Sequence, residues 1–252
     1  MSRRLCRGAA AVLAVVTVGA LAACSPAPVA GNDPPTTTAV IPTPPGASFG
    51  AQPREGTDSQ ACDATESLRP QSLPSPGSMP AGSTMDRIAQ RGRLIVGTDI
   101  GSNPLSFRDP ISGDIEGFDV DVATWLSEAI FGESRIEYRI LSTGERVSAL
   151  KDGDVDVVVK SMSITCNRLK EVDFSAPYLT AGQHTLTYRN SGIDDLDGLS
   201  GKSVCATRAA TAITRVEQRV PGAELVTANS WADCQVMMQQ GQVDAIVGAE
   251  PI

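Results

Sequence analysis

The chain has 252 residues, with 29 acidic against 21 basic side chains and a net charge of −8. That balance excludes nucleic-acid binding, which needs a basic stripe to neutralise phosphates. The length suits one large domain or two small ones, and none of the six cysteines has the CxxC spacing of a zinc or redox site, so no metal and no cofactor is expected.

Residues 1–23 read as a secretory signal peptide. Arg3, Arg4 and Arg7 precede an apolar core from Ala9 to Ala22. That core is too short for a spanning helix, which needs about 20 apolar residues. It ends in Leu21-Ala22-Ala23-Cys24, which matches the bacterial lipobox. The match implies cleavage before Cys24 and lipid attachment to its thiol, anchoring the protein on the extracytoplasmic face of the cell membrane. Residues 24–83 hold twelve of the seventeen prolines and no sustained apolar period, so an extended tether is expected.

The globular part reads from residue 84 as alternating strands and helices. Ser83 or Thr84 caps a short helix, Met85 to Arg91, and Arg93 to Thr98 is the first strand. A turn-rich stretch follows, then a helical apolar pattern from Val120 to Ile130 with Trp125 expected in the core. Arg135 to Leu141 and Val155 to Val159 are strands, separated by a helix from Glu145 to Lys151. The alternation predicts an α/β fold with a parallel sheet. After Tyr178 it restarts: strands at His184–Arg189, Lys202–Thr207, Glu224–Thr227 and Val243–Val247, helices at Ala210–Arg219 and Ala232–Gln240. His184, the only histidine, is read as a hinge-strand residue. Two lobes follow, 84–182 and 183–252, and ligands of open α/β sheets sit at the carboxyl ends of strands.

Four cysteines, Cys62, Cys166, Cys205 and Cys234, remain outside the signal and the lipobox, and they allow three pairings. Cys205 ends a strand and Cys234 opens a helix of the same lobe, so they are expected to pair. Cys62 would then join Cys166 and pin the tether.

The stretch from Asp154 to Tyr178 carries the densest signal. A strand ends in Lys160-Ser161-Met162-Ser163, and Thr165 then caps a helix start with Arg168 in its first turn. Free N–H groups and a guanidinium fork at one place suit a small carboxylate. With GFDVDVA at 117–123 before it and DFSAPY at 173–178 after it, the chain resembles the amino-acid-binding proteins of ABC importers, bacterial solute-binding protein family 3. It is most similar to the glutamine/glutamate-binding lipoproteins of actinobacteria, over about Met85 to Gln242.

The resemblance implies a two-lobed, periplasmic-binding-protein-like fold of type II. It also implies a monomeric receptor with an ABC permease or a membrane sensor as partner. In the family the Arg of the Thr-x-x-Arg motif holds the ligand α-carboxylate, so Arg168 takes that role with Thr165 and Ser163, and the Ser161 carbonyl receives the ammonium. Thr211 matches a hydroxyl of the second lobe, in a loop where Ala209 replaces a glycine. Ser102 and Thr143 stand where relatives place aromatics. Lys160 and Arg208, expected on either side of the ligand side chain, favour glutamate or aspartate, while Asp99 keeps glutamine and asparagine in range. Relatives carry an Asp where this chain has Ala249, followed by Glu250. The resemblance further implies a C-terminally truncated member, its second lobe and the return to the first incomplete, binding weakly or as a remnant not at all. Dehydratases and peptidoglycan lyases share the fold, so an enzyme is the competing class.

Overall fold

The computed structural model describes residues 41–50, 62, 63, 65, 67, 68 and 72–249. The expected signal peptide, the lipidated Cys24 and the role weighed for Glu250 all lie outside the described residues. Among the described residues no helix is long and apolar enough to cross a membrane.

The first lobe is built on β2 (Leu94–Thr98), β6 (Ile136–Ile140) and β7 (Val157–Val158), parallel in the order β6-β2-β7. Helix α1 (Thr84–Arg91) starts where the Ser83 hydroxyl accepts from the Asp86 N–H and stops at Gly92, whose φ of 82° suits a residue without Cβ. Helix α2 (Phe118–Phe131) buries Ala123 and Ile130 in one cluster with Ile88, Leu94, Val96 and Val159. A small antiparallel sheet of β3 (Gly101–Ser102), β4 (Ser106–Arg108) and β5 (Ile115–Glu116) leads from β2 into α2. Trp125 corrects the core assignment. It is 58% exposed and packs edge-on to Phe118 at 6.3 Å, because the buried stripe of α2 runs through Val120, Ala123, Ser127 and Ile130 instead.

The second lobe is a five-stranded sheet. β9 (Ser203–Thr207), β10 (Glu224–Ala228) and β11 (Ala245–Ala249) are parallel, with β8 (Gln183–Thr187) antiparallel at one edge. Side chains alternate across β9: Val204 and Ala206 pack with α5 (Thr211–Arg219), while Cys205 packs with α6 (Trp231–Gln239). The other edge is closed by β1 (Ser48–Phe49), antiparallel to β10. This part of the Pro-rich stretch is therefore not an extended tether; it is a strand of the second lobe.

Two short α/β lobes around one cleft make the fold α/β, two-lobed and of type II. In the first lobe the strand limits fall inside those read from the sequence: Val155 and Val159 are buried but outside the ladder, which spans Val157–Val158 alone. In the second lobe β8, β10 and β11 shift by one or two residues past the limits read.

Cys205 is bonded to Cys234, and Cys62 to Cys166. The first bridge closes a loop of 29 residues inside the second lobe. Loop-closure entropy gives it about 3–4 kcal/mol. The double substitution Cys205→Ser/Cys234→Ser is expected to lower the unfolding free energy by that amount in urea titrations, with an unchanged fold by circular dichroism. A loss under about 1 kcal/mol would show that the reduced chain is already restrained.

Candidate ligand-binding cleft

Strands β2, β7 and β9 deliver their carboxyl ends to one place, and a cavity of about 840 Å³ lies there between the lobes. Asp99 and Lys160 follow β2 and β7, so parallel pairing brings them level. Their side chains form a buried ion pair. The Asp99 carboxylate also accepts from the Ser102 hydroxyl at 2.8 Å and from the N–H groups of Ile100 and Gly101 at 2.7 and 3.1 Å. Burial opposes ionisation of Asp99, but the Lys160 ammonium and these hydrogen bonds outweigh it and hold the carboxyl below its ordinary range. Burial also pulls the Lys160 ammonium down, and Asp99 offsets this in part.

Arg168 sits in α4 (Cys166–Leu169), whose N-cap Thr165 accepts from the Arg168 N–H at 3.3 Å. Its guanidinium donates to the Ser163 carbonyl and to the Ala209 carbonyl of the other lobe, each at 2.7 Å. Arg146, from α3 (Arg146–Lys151), donates to the same Ala209 carbonyl at 3.3 Å and to Thr143 and Lys160 carbonyls of its own lobe. Both arginines are nearly buried, at 5 and 6% exposure. One carbonyl thus joins two cations of the first lobe to the second. Aiming it there puts Ala209 at φ 58°, a left-handed conformation that costs a residue with Cβ about 1 kcal/mol.

Ser161 is also left-handed, at φ 37°. Asp119 of α2 holds it: one carboxylate oxygen accepts from the Ser161 N–H at 3.0 Å and the other from the Tyr178 hydroxyl at 2.8 Å. Asp119 is buried, which pushes its carboxyl up despite these two donors. Across the cleft the Ser163 and Thr211 hydroxyls stand 3.4 Å apart, and Gln183 donates to Thr211 at 2.9 Å.

Of the residues expected in the site, Asp99, Lys160, Ser161, Ser163, Arg168 and Thr211 line the cavity, as do Ser102 and Thr143. Thr165 does not; it positions Arg168 as the helix cap. Arg208 is a correction. Its guanidinium turns outward to the Gly46 carbonyl at 2.5 Å, because β1 and the turn before it cover that edge of the lobe. Two cations that the sequence reading missed take its place around the cavity: Arg146 from the first lobe and Arg215 from α5. Asp119 was missed too, as the support for Ser161. Arg219 also reaches the lining, so five basic side chains stand there against one acid, Asp99, among the described residues.

The pH dependence of stability separates the two buried acids. The contribution of Asp99 is fully present above the ordinary carboxylate value of 3.8 and is lost as pH falls through the lower value in the folded protein. Asp119 has the opposite sign: its folded value is raised, so stability is lost as pH rises through it. Asp99→Asn should flatten the acid limb of a melting-temperature profile below about pH 4, while also lowering stability at neutral pH by leaving Lys160 without its counter-charge. Asp119→Asn should remove part of the loss seen on going from pH 4 to neutrality. An acid limb unchanged by Asp99→Asn would show that Asp99 titrates as it does in the unfolded chain.

Residues 94–220 match the family described as bacterial extracellular solute-binding proteins, family 3. The chain is 33% identical to the glutamine-binding protein of Geobacillus stearothermophilus, over 65% of this chain and 63% of that protein. To the glutamate-binding protein GluB of Corynebacterium glutamicum it is 28% identical, over 62% and 55%. It therefore spans about three-fifths of the length of these curated relatives. Among solved structures, the ancestral amino acid-binding protein AncCDT-1, a precursor of cyclohexadienyl dehydratase, superposes with a TM-score of 0.60 at 33% identity, over 68% of this chain and 76% of that one. With motif, fold and cleft geometry in agreement, the chain belongs to the bacterial extracellular solute-binding proteins, family 3.

Proposed function

We propose that this protein is a lipid-anchored extracytoplasmic receptor for an acidic amino acid or its amide, glutamate, aspartate, glutamine or asparagine, serving ABC import or membrane sensing. One observation carries the choice of ligand: among the described residues the cavity wall has five basic groups, and its one acid is already paired with Lys160. A ligand carrying net negative charge balances that wall; a cationic one adds to it. Glutamine-binding and glutamate-binding relatives support the same class. In this reading Arg168, Ser163 and Thr211 receive the α-carboxylate, Ser161 the ammonium, and Lys160 with Arg146 the distal group. The lipid anchor rests on the lipobox before Cys24.

Binding is favoured over turnover by the state of Asp99. Three donors and a buried ammonium hold it ionised, whereas a general acid or base works best with a pKa near the operating pH.

Titration calorimetry with each of the twenty amino acids tests the reading. Glutamate and aspartate are expected to bind most tightly, their amides more weakly, and lysine and arginine not at all. Arg168→Ala should abolish binding of all four, a loss of about 100-fold or more, because a desolvated carboxylate then lacks its partner. Arg146→Ala should weaken glutamate and aspartate more than glutamine and asparagine. Preferred binding of arginine by the unaltered protein would overturn the assignment.

A further inference from the structure

One group in the cavity wall has chemistry that nothing around it uses. Trp231 is 7% exposed and lines the cavity, and its indole N–H is buried without a hydrogen-bond partner. Among the described residues one other lining residue holds such an atom, Gln183, whose amide already donates to Thr211 at 2.9 Å. An indole N–H can only donate, and it has a single proton to give. A buried donor with no acceptor destabilises the fold that carries it, so the wall is incomplete at this point.

The surroundings hold Trp231 in place. It is the first residue of α6, after the N-cap Ser230. The Ser230 hydroxyl accepts from the Asp233 N–H at 3.1 Å, and the Asp233 carboxylate accepts from the Ser230 N–H and hydroxyl at 3.0 and 2.8 Å. This reciprocal cap fixes the helix start at the carboxyl end of β10. The ring is seated on β11: a Cβ on Gly248 would lie 2.2 Å from Cζ3 and 2.7 Å from Cη2, so the close approach needs a glycine. The N–H is on the opposite edge of the indole, turned away from Gly248. On either side of Trp231 the second lobe meets the first. The Asn229 carbonyl accepts from the Thr143 N–H at 3.2 Å, and a Cβ on Gly101 would lie 2.9 Å from the Ala232 Cβ and 3.9 Å from Asp99 Oδ1. Trp231 therefore stands beside the part of the cleft that holds Asp99 and its partner Lys160.

We infer that Trp231 is a ligand-binding residue of the second lobe, and that its indole N–H donates to the distal carboxylate of the ligand while Lys160 and Arg146 face that group from the first lobe. A neutral donor completes this end of the site without adding another cation to a wall that already has five basic groups. It also serves the carbonyl oxygen of a side-chain amide, though less strongly, because hydrogen bonds to ionised acceptors are roughly twice as strong as neutral ones. That the anion is an amino-acid side chain rests on the receptor reading above; the donor role of Trp231 does not.

The test uses the full chain labelled with nitrogen-15, whose two tryptophans are Trp125 and Trp231. Trp125→Phe assigns their indole resonances. Saturating L-glutamate is expected to move the Trp231 N–H proton downfield, as entry into a hydrogen bond with a carboxylate does, and to leave the exposed Trp125 in place. In calorimetry Trp231→Phe, which keeps an aromatic ring and removes the donor, should weaken glutamate about ten-fold or more and glutamine by less. A merely structural role would weaken both alike. Glutamate that binds without moving the Trp231 resonance, or a glutamate-to-glutamine preference unchanged in Trp231→Phe, overturns the assignment and leaves the receptor reading standing. Should the variant not fold, the resonance of the unaltered chain decides. If the unaltered protein binds none of the twenty amino acids, the receptor reading fails, and glutarate, a dicarboxylate without an amino group, becomes the probe. A downfield shift of the Trp231 resonance with glutarate then supports the donor role, and an unmoved resonance overturns it.

Discussion

Burying three cations on one wall of a small lobe is the constraint from which the cleft follows. Lys160, Arg146 and Arg168 are 3, 5 and 6% exposed. Desolvating such groups costs several kcal/mol each unless every charge meets a partner. Lys160 takes Asp99. The two arginines take main-chain carbonyls, of Thr143, Lys160 and Ser163 in their own lobe and of Ala209 in the other. Sharing the Ala209 carbonyl between both arginines makes the second lobe part of the energetics of this wall.

Backbone strain is found in the same place. Ser161 and Ala209 are the two residues with Cβ that adopt positive φ among the described residues; Ser161 lines the cavity, and the Ala209 carbonyl accepts from two arginines of the other lobe. Each is held by charged hydrogen-bond partners: the Ser161 N–H donates to the buried Asp119, and the Ala209 carbonyl accepts from two guanidinium groups. Strain that persists only because surrounding groups over-determine it marks functional sites more often than chance. Asp119 lies within the GFDVDVA motif, so the motif has a physical role: it fixes the strand-end turn that presents Ser161.

The α/β alternation, the order of the elements and the cap-plus-arginine socket were legible in the sequence, because they rest on local periodicity and capping chemistry. Trp125 was misplaced because the helix satisfies more than one apolar stripe, and only packing against β2 selects the one with Ala123 and Ile130. Arg146 was hidden as one charged residue in a short helix. The available signal was its place in the turn after β6, which brings it to the same sheet end as Asp99 and Lys160. Arg208 was misread for the converse reason: its spacing from β9 suits the cleft, but β1 supplies an acceptor on the outer side. That strand was missed since two residues inside a long Pro-rich stretch give no period, although Pro45-Gly46 spelled out the turn before it.

The orientation of ligand on the cationic wall is where these forces converge, and a crystal structure of the protein grown with L-glutamate measures it directly. The expected result has the α-carboxylate between Arg168 and the hydroxyls of Ser163 and Thr211, with the distal carboxylate within hydrogen-bond distance of Lys160 or Arg146. Glutamate bound with its ammonium against Arg168, or bound outside the cleft with Arg146 and Arg168 still shared between Ala209 and their own lobe, would contradict it.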